Sequence, residues 1–154
     1  MKDPKVKLII QQLDRKFEKL IDIEDLVIPT EGWVNAIRHA LKMSLRQLGA
    51  RMGITPQSVK EIETREKLGT ISINTLKQVG MALDMRLIYG FIPNDKSLEQ
   101  MIQKKALEIA KEIVYRTSGS MALEDQENTM ERIREAINDR AEQIKNEMPK
   151  YLWD

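Results

Sequence analysis

With 154 residues, 42% hydrophobic and 32% charged, the chain has the apolar content to fold and the charge to stay dissolved, which excludes an intrinsically disordered polymer. It has no cysteine, which excludes disulfides, thiol catalysis and Cys-based zinc sites and fits a reducing cytoplasm. No apolar run reaches about 18 residues, and lysines interrupt the apolar stretch near the start, so neither a membrane span nor a secretory signal is expected.

Residues 4–21 read as an amphipathic helix, because Val6, Ile9, Ile10, Leu13, Phe17, Leu20 and Ile21 recur at steps of three and four. Pro4 suits its first turn. This helix either packs on its own domain or serves as a dimerisation arm. Residues 22–30 form a connector ending in Ile28-Pro29-Thr30, since a residue before proline resists helix.

The next helix is expected over Glu31–Met43, with Trp33, Ile37, Ala40 and Leu41 on one face. Ser44 is placed to cap a helix over Leu45–Met52, and Gly53 to end it in a left-handed conformation. Thr55 can cap a third helix with Pro56 at its first position. Ser72 can cap a fourth over Ile73–Leu83.

Met85–Ile92, MRLIYGFI, is apolar, partly alternating and followed by Pro93, which predicts a short strand. Such a strand needs a partner, either another segment of the chain or the same strand of a second subunit. Residues 97–116 read as a helix, Thr117-Ser118-Gly119-Ser120 as an interruption, and about Met121 to Met148 as a last helix stopped by Pro149. The expected organisation is therefore an N-terminal helix and connector over 1–30, a small helical domain over 31–84, a short strand over 85–93 and a helical extension over 94–154. The fold class is all-α apart from that strand.

Charge is unevenly divided along this plan. Residues 31–93 carry nine basic and five acidic side chains, net +4, whereas 94–154 carry ten and thirteen, net −3. Attraction for phosphate belongs to the middle segment. The acidic tail suits a protein partner or a second copy.

The informative stretch runs from Ser44 to Glu63. Two short helices crossing steeply need a small residue at the crossing, and Gly49 stands there. The turn needs a residue that tolerates positive φ, which Gly53 supplies. Ile54 can anchor the turn. Val59 and Ile62 can bury one face of the second helix against Leu45, Leu48 and Met52. That leaves Gln57, Ser58, Lys60, Glu61, Thr64 and Arg65 facing outward, polar groups suited to base edges and phosphates.

Over about residues 32–84 this pattern resembles the Cro/CI or Xre family of helix-turn-helix proteins. The resemblance implies a lambda repressor-like domain that binds double-stranded DNA, commonly as a homodimer on a palindromic site. It puts Gln57 and Ser58 at the start of the recognition helix, with Gln57 suited to adenine and Lys60 to guanine or phosphate. It makes Arg46, Thr64, Arg65 and Lys67 phosphate clamps. Glu61 suits a cytosine amino group or a pair with Arg65. Pro56 and Leu45 depart from the pattern, since these positions often bear a base-reading side chain and Gln.

Taken whole, the chain resembles a small family known as mobile mystery protein A, through Trp33 to Gly69, the MRLIYGFIP stretch and residues 120–126. That family is encoded beside a Fic/Doc-type protein, which implies an antitoxin that represses its own operon and restrains a Fic enzyme. Ser120 and Glu124 have the spacing of the Fic-inhibitory helix, although Asp125 replaces its Gly or Asn. The other reading of Ser120 and Glu124 is a helix cap with an acidic first turn.

A different class of function also fits: a protein–protein interaction module, such as a Fic inhibitor, whose helix-turn-helix is only scaffold. Enzymatic chemistry is not expected. His39 is the sole histidine and reads as structural, no Ser-His-Asp set can be built without it, and no Gly-rich phosphate loop is present. No cofactor or metal is implied. The nine methionines read as adaptable core, and Trp153 as packed on the fold or on a partner.

Overall fold

The computed structural model describes residues 1–118 and 126–154. These form an all-α chain of helices α1 (Pro4–Ile21), α2 (Trp33–Ala40), α3 (Leu45–Met52), α4 (Pro56–Leu68), α5 (Ile73–Ala82), α6 (Leu98–Ser118) and α7 (Gln126–Glu147), closed by a 3-10 turn, Lys150–Trp153. None of the described helices is long and apolar enough to cross a membrane. The chain divides into two compact units, Asp25–Gly90 and Met1–Glu24 with Phe91–Asp154.

In the Asp25–Gly90 unit, α2 to α5 enclose Val34, Leu48, Val59, Ile62, Val79 and Leu83. Local chemistry sets each boundary. Ser44 Oγ accepts from Gln47 N at 3.1 Å while the Gln47 side chain accepts from Ser44 N at 2.8 Å, a reciprocal cap for α3. Gly53 ends α3 at φ +70°, and Gly69 ends α4 at φ +74°. Thr55 and Ser72 accept from the third residue of α4 and α5, at 3.1 and 3.0 Å. The expected helix over Glu31–Met43 is shorter at both ends. Gly32 caps its start at φ +90°, and Lys42 turns left-handed at φ +52° after Leu41.

In the other unit, α6 presents Ile102, Ala106, Ala110 and Val114 at four-residue steps to Ile137, Ala141 and Ile144 of α7. The three alanines are almost fully buried, and their small side chains let the helices approach closely. Leu152 of the final turn is also fully buried, whereas Trp153 is exposed. Helix α1 belongs with this bundle although 76 residues, 22–97, separate it from α6. Asp14 accepts from Leu98 N and Glu99 N at 2.7 and 3.3 Å, capping α6 from another helix. The N-terminal helix is thus grouped with the C-terminal helices rather than with its sequence neighbour, α2.

The strand expected over Met85–Ile92 does not form. This run has neither helix nor ladder, and no strand exists among the described residues. A strand is defined by pairing, and no described segment pairs with it. Thr117 and Ser118, expected to begin an interruption over Thr117–Ser120, instead continue α6, where Thr117 Oγ1 donates to the Ile113 and Val114 carbonyls. The remainder of that interruption and the expected start of the last helix near Met121 fall on residues 119–125, which lie outside the described residues.

Candidate nucleic-acid interface

Helix α4 is fixed along one side by apolar burial and by ionic contacts. Val59 is fully buried, and Ile62 and Glu63 lie on the same side. Glu63 meets the guanidinium of Arg38, itself buried on α2, through two contacts: Arg38 Nε to Oε1, and Nη2 to Oε2 at 3.2 Å. Asn35 Nδ2 donates to Glu63 Oε2 at 3.0 Å, and Arg38 Nη1 donates to the Met43 carbonyl at 2.9 Å. The fork geometry of arginine satisfies both carboxylate oxygens while also holding the end of the α2–α3 connection. Burial by itself raises the Glu63 pKa. The hydrogen bonds from Arg38 and Asn35, with the charges of Arg38 and Lys60, outweigh it and hold the carboxyl below its ordinary value.

One turn further along α4, Glu66 Oε1 accepts from Val34 N at 2.9 Å. The residue before α2 is Gly32, which has no side chain to cap it, so a carboxylate from α4 supplies both the acceptor and the negative charge at that N-terminus. The backbone there favours glycine, because its φ is +90°. A Cβ on Gly32 would stand 2.5 Å from Glu66 Oε1. Lys67 then reaches both carboxylate oxygens of Glu31 at 2.9 Å.

The turn between α3 and α4 is equally constrained. Gly49 is buried, and a Cβ there would lie 2.7 Å from the Ile54 carbonyl oxygen. The small residue expected at this place is therefore required by the backbone of the turn. Gly53 has open space around it, so its requirement is conformational: it supplies the left-handed φ.

The opposite side of α4 is polar and open. Gln57, Lys60, Glu61 and Thr64 lie along one stripe at helical spacing, Arg65 follows Glu61 by four, and all are exposed. Glu61 and Arg65 form no ion pair with each other. Thr64 Oγ1 donates to the Lys60 carbonyl at 3.0 Å. Arg46 is exposed on α3. Two of the expected contact residues are engaged elsewhere: Ser58 is half-buried with its hydroxyl 2.9 Å from Thr55 Oγ1, and the Lys67 ammonium is held by Glu31. His39 Nδ1 sits 2.9 Å from the Asn35 carbonyl within its own helix, a local structural contact. The unit has nine basic and six acidic residues, net +3, against net −2 for the remainder.

Comparison with protein-family models, with curated proteins and with solved structures finds no match.

Arg38, Glu63 and Glu66 were not anticipated as members of the site. A signal for two of them was present. Arg38 follows Val34 by four and Glu63 follows Val59 by four, so each charge falls on an otherwise apolar face. Two opposite charges in phase with the apolar positions of α2 and α4 are candidates for burial as a pair. Ser120 and Glu124 lie outside the described residues.

Proposed function

We propose that α3 and α4 form a helix-turn-helix of the Cro/CI type and that the protein is a sequence-specific double-stranded DNA-binding repressor. The observation that carries this reading is the division of α4 into two sides. One side is immobilised by Val59, Ile62, Glu63 and Glu66, and the other presents Gln57, Lys60, Glu61, Thr64 and Arg65 unobstructed. A reading helix needs both properties, because base-edge hydrogen bonds discriminate only when their donors are held in register. The positive charge of the unit favours phosphate. Gln57 and Glu61 are the base-reading candidates, Lys60 serves base or phosphate, and Arg46, Thr64 and Arg65 position the backbone.

The test is a salt titration of binding to the protein's own promoter DNA. Log affinity should fall linearly with log salt, by about 0.9 per phosphate neutralised. Arg65→Ala should flatten that slope by roughly one contact while leaving the helical signal intact. Unchanged binding in Lys60→Ala and Arg65→Ala together would remove α4 from the interface and leave an interaction module built on this scaffold.

Resemblance to proteins encoded beside a Fic/Doc-type partner extends the reading to a cytoplasmic antitoxin that represses its own operon as a homodimer. Co-expression with the neighbouring gene product should then recover a complex. Glu124 is the inhibitory candidate within it. Full suppression of Fic activity by a Glu124→Gly variant would end that assignment.

A further inference from the structure

The run Met85–Ile92 has properties that the proposed DNA contact does not use. Met85 N donates to the Gly80 carbonyl at 2.7 Å, but no described residue bonds to the backbone of Arg86 through Ile92. The run is also apolar and open. Ile88 is 70% exposed, Tyr89 63% and Phe91 80%. At about 150 to 250 Å² for each large side chain, the exposed fractions from Met85 to Ile92 represent on the order of 500 Å² per chain. Two copies together would bury on the order of 1,000 Å², the lower bound for a specific interface.

A helix laid on this run would cover side chains but leave its backbone groups to water. Only another strand satisfies both. The sequence fits itself in that role. Met85, Leu87, Tyr89 and Phe91 fall on one face in strict alternation, an all-apolar stripe. Antiparallel pairing about a two-fold axis at Ile88 sets Ile88 against Ile88, Leu87 against Tyr89 and Arg86 against Gly90. The Arg86 side chains do not face each other in that register, whereas an axis at Arg86 would oppose like charges. The Lys77 ammonium lies 5.8 Å from the Tyr89 ring centroid, a cation–π contact with one residue of the stripe.

We propose that Met85–Phe91 forms a two-stranded antiparallel ribbon with the same residues of a second copy of this chain. The ribbon names the surface of the homodimer and, insofar as a two-fold axis is meant to serve two half-sites, rests on the DNA reading of α4.

The experiment is sedimentation of the full chain without DNA, over a wide concentration range, for wild type, Ile88→Lys and Ile88→Glu. Wild type should sediment as two chains. Each variant should associate about a hundredfold more weakly, because two isoleucines are no longer buried and two like charges meet at the axis. Mixing the lysine and glutamate variants should restore the two-chain mass, which a merely misfolded variant could not do. A monomeric wild type, or variants that dimerise as wild type does, would overturn the ribbon. Salt-dependent DNA binding by such a protein would still leave the reading of α4 standing, so the two failures are distinguishable.

Discussion

The two units of this chain solve the same packing problem by different means. The bundle of α1, α6 and α7 is held by apolar side chains, with alanines where its helices approach and Ile102, Ile137, Ile144 and Leu152 filling the rest. The α2–α5 unit has an apolar core of its own, but it adds Arg38 and Glu63, the only charged side chains buried among the described residues. Apolar burial is non-directional and leaves a helix some freedom to rotate or slide. A bidentate ion pair fixes orientation as well as distance. The directional contacts converge on α4, the helix whose outer side must be presented in a set orientation if it reads DNA. Buried ionic contacts are poor sources of net stability, so their presence there is better explained by geometry than by strength.

This contrast can be broken most directly at Arg38. Arg38→Ala leaves Glu63 buried without its partner and should cost about 3 to 5 kcal/mol, whereas a double replacement, Arg38→Met with Glu63→Leu, should recover most of that loss. Thermal unfolding followed by circular dichroism gives the size, and amide exchange assigns it to the Asp25–Gly90 unit. An equally unstable double variant would mean that the pair supplies stability itself.

On the bundle side, Leu152→Ala should cost about 2 to 5 kcal/mol through the cavity it leaves in a fully buried site. Its effect should be confined to the amides of α1, α6 and α7. Equal loss of protection in α4 would show that the units unfold together.

Acid separates the units by mechanism. Glu63 has a depressed pKa in the folded state, so its contribution is complete above the ordinary glutamate range and is lost as pH falls through the depressed value. Acid titration of wild type should therefore weaken α2–α5 in that window. The Arg38→Met, Glu63→Leu protein should lack this component, and an identical acid profile in the two proteins would contradict it.

The glycines of the turn sharpen the comparison at a finer scale. Gly49→Ala drives a Cβ against the Ile54 carbonyl and should cost about 1 to 3 kcal/mol. Gly53→Ala meets no atom and should cost about 1 kcal/mol through its left-handed φ alone. The reverse ranking in urea titrations would place the constraint in conformation rather than contact. Smallest of all, Lys67→Ala removes an exposed pair with Glu31 and should change stability by less than about 1 kcal/mol.

The sequence by itself determined what depends on neighbours a few residues away. The caps at Ser44, Thr55 and Ser72, the left-handed Gly53, Pro56 at a helix start and the span of α1 are consequences of short hydrogen bonds and allowed φ angles. The apolar period also separated the inner and outer sides of α4 through Val59 and Ile62. Tertiary structure decided what depends on residues far apart in the chain. Arg38 finds Glu63 25 residues away, and Asp14 caps a helix 84 residues away. That second distance is why α1 joins the C-terminal helices. Lys67 turned to Glu31, 36 residues away, which a helical period does not distinguish from an outward-facing position. Met85–Ile92 has the composition of a strand, but a strand exists only when a second backbone lies beside it, and propensity supplies no partner.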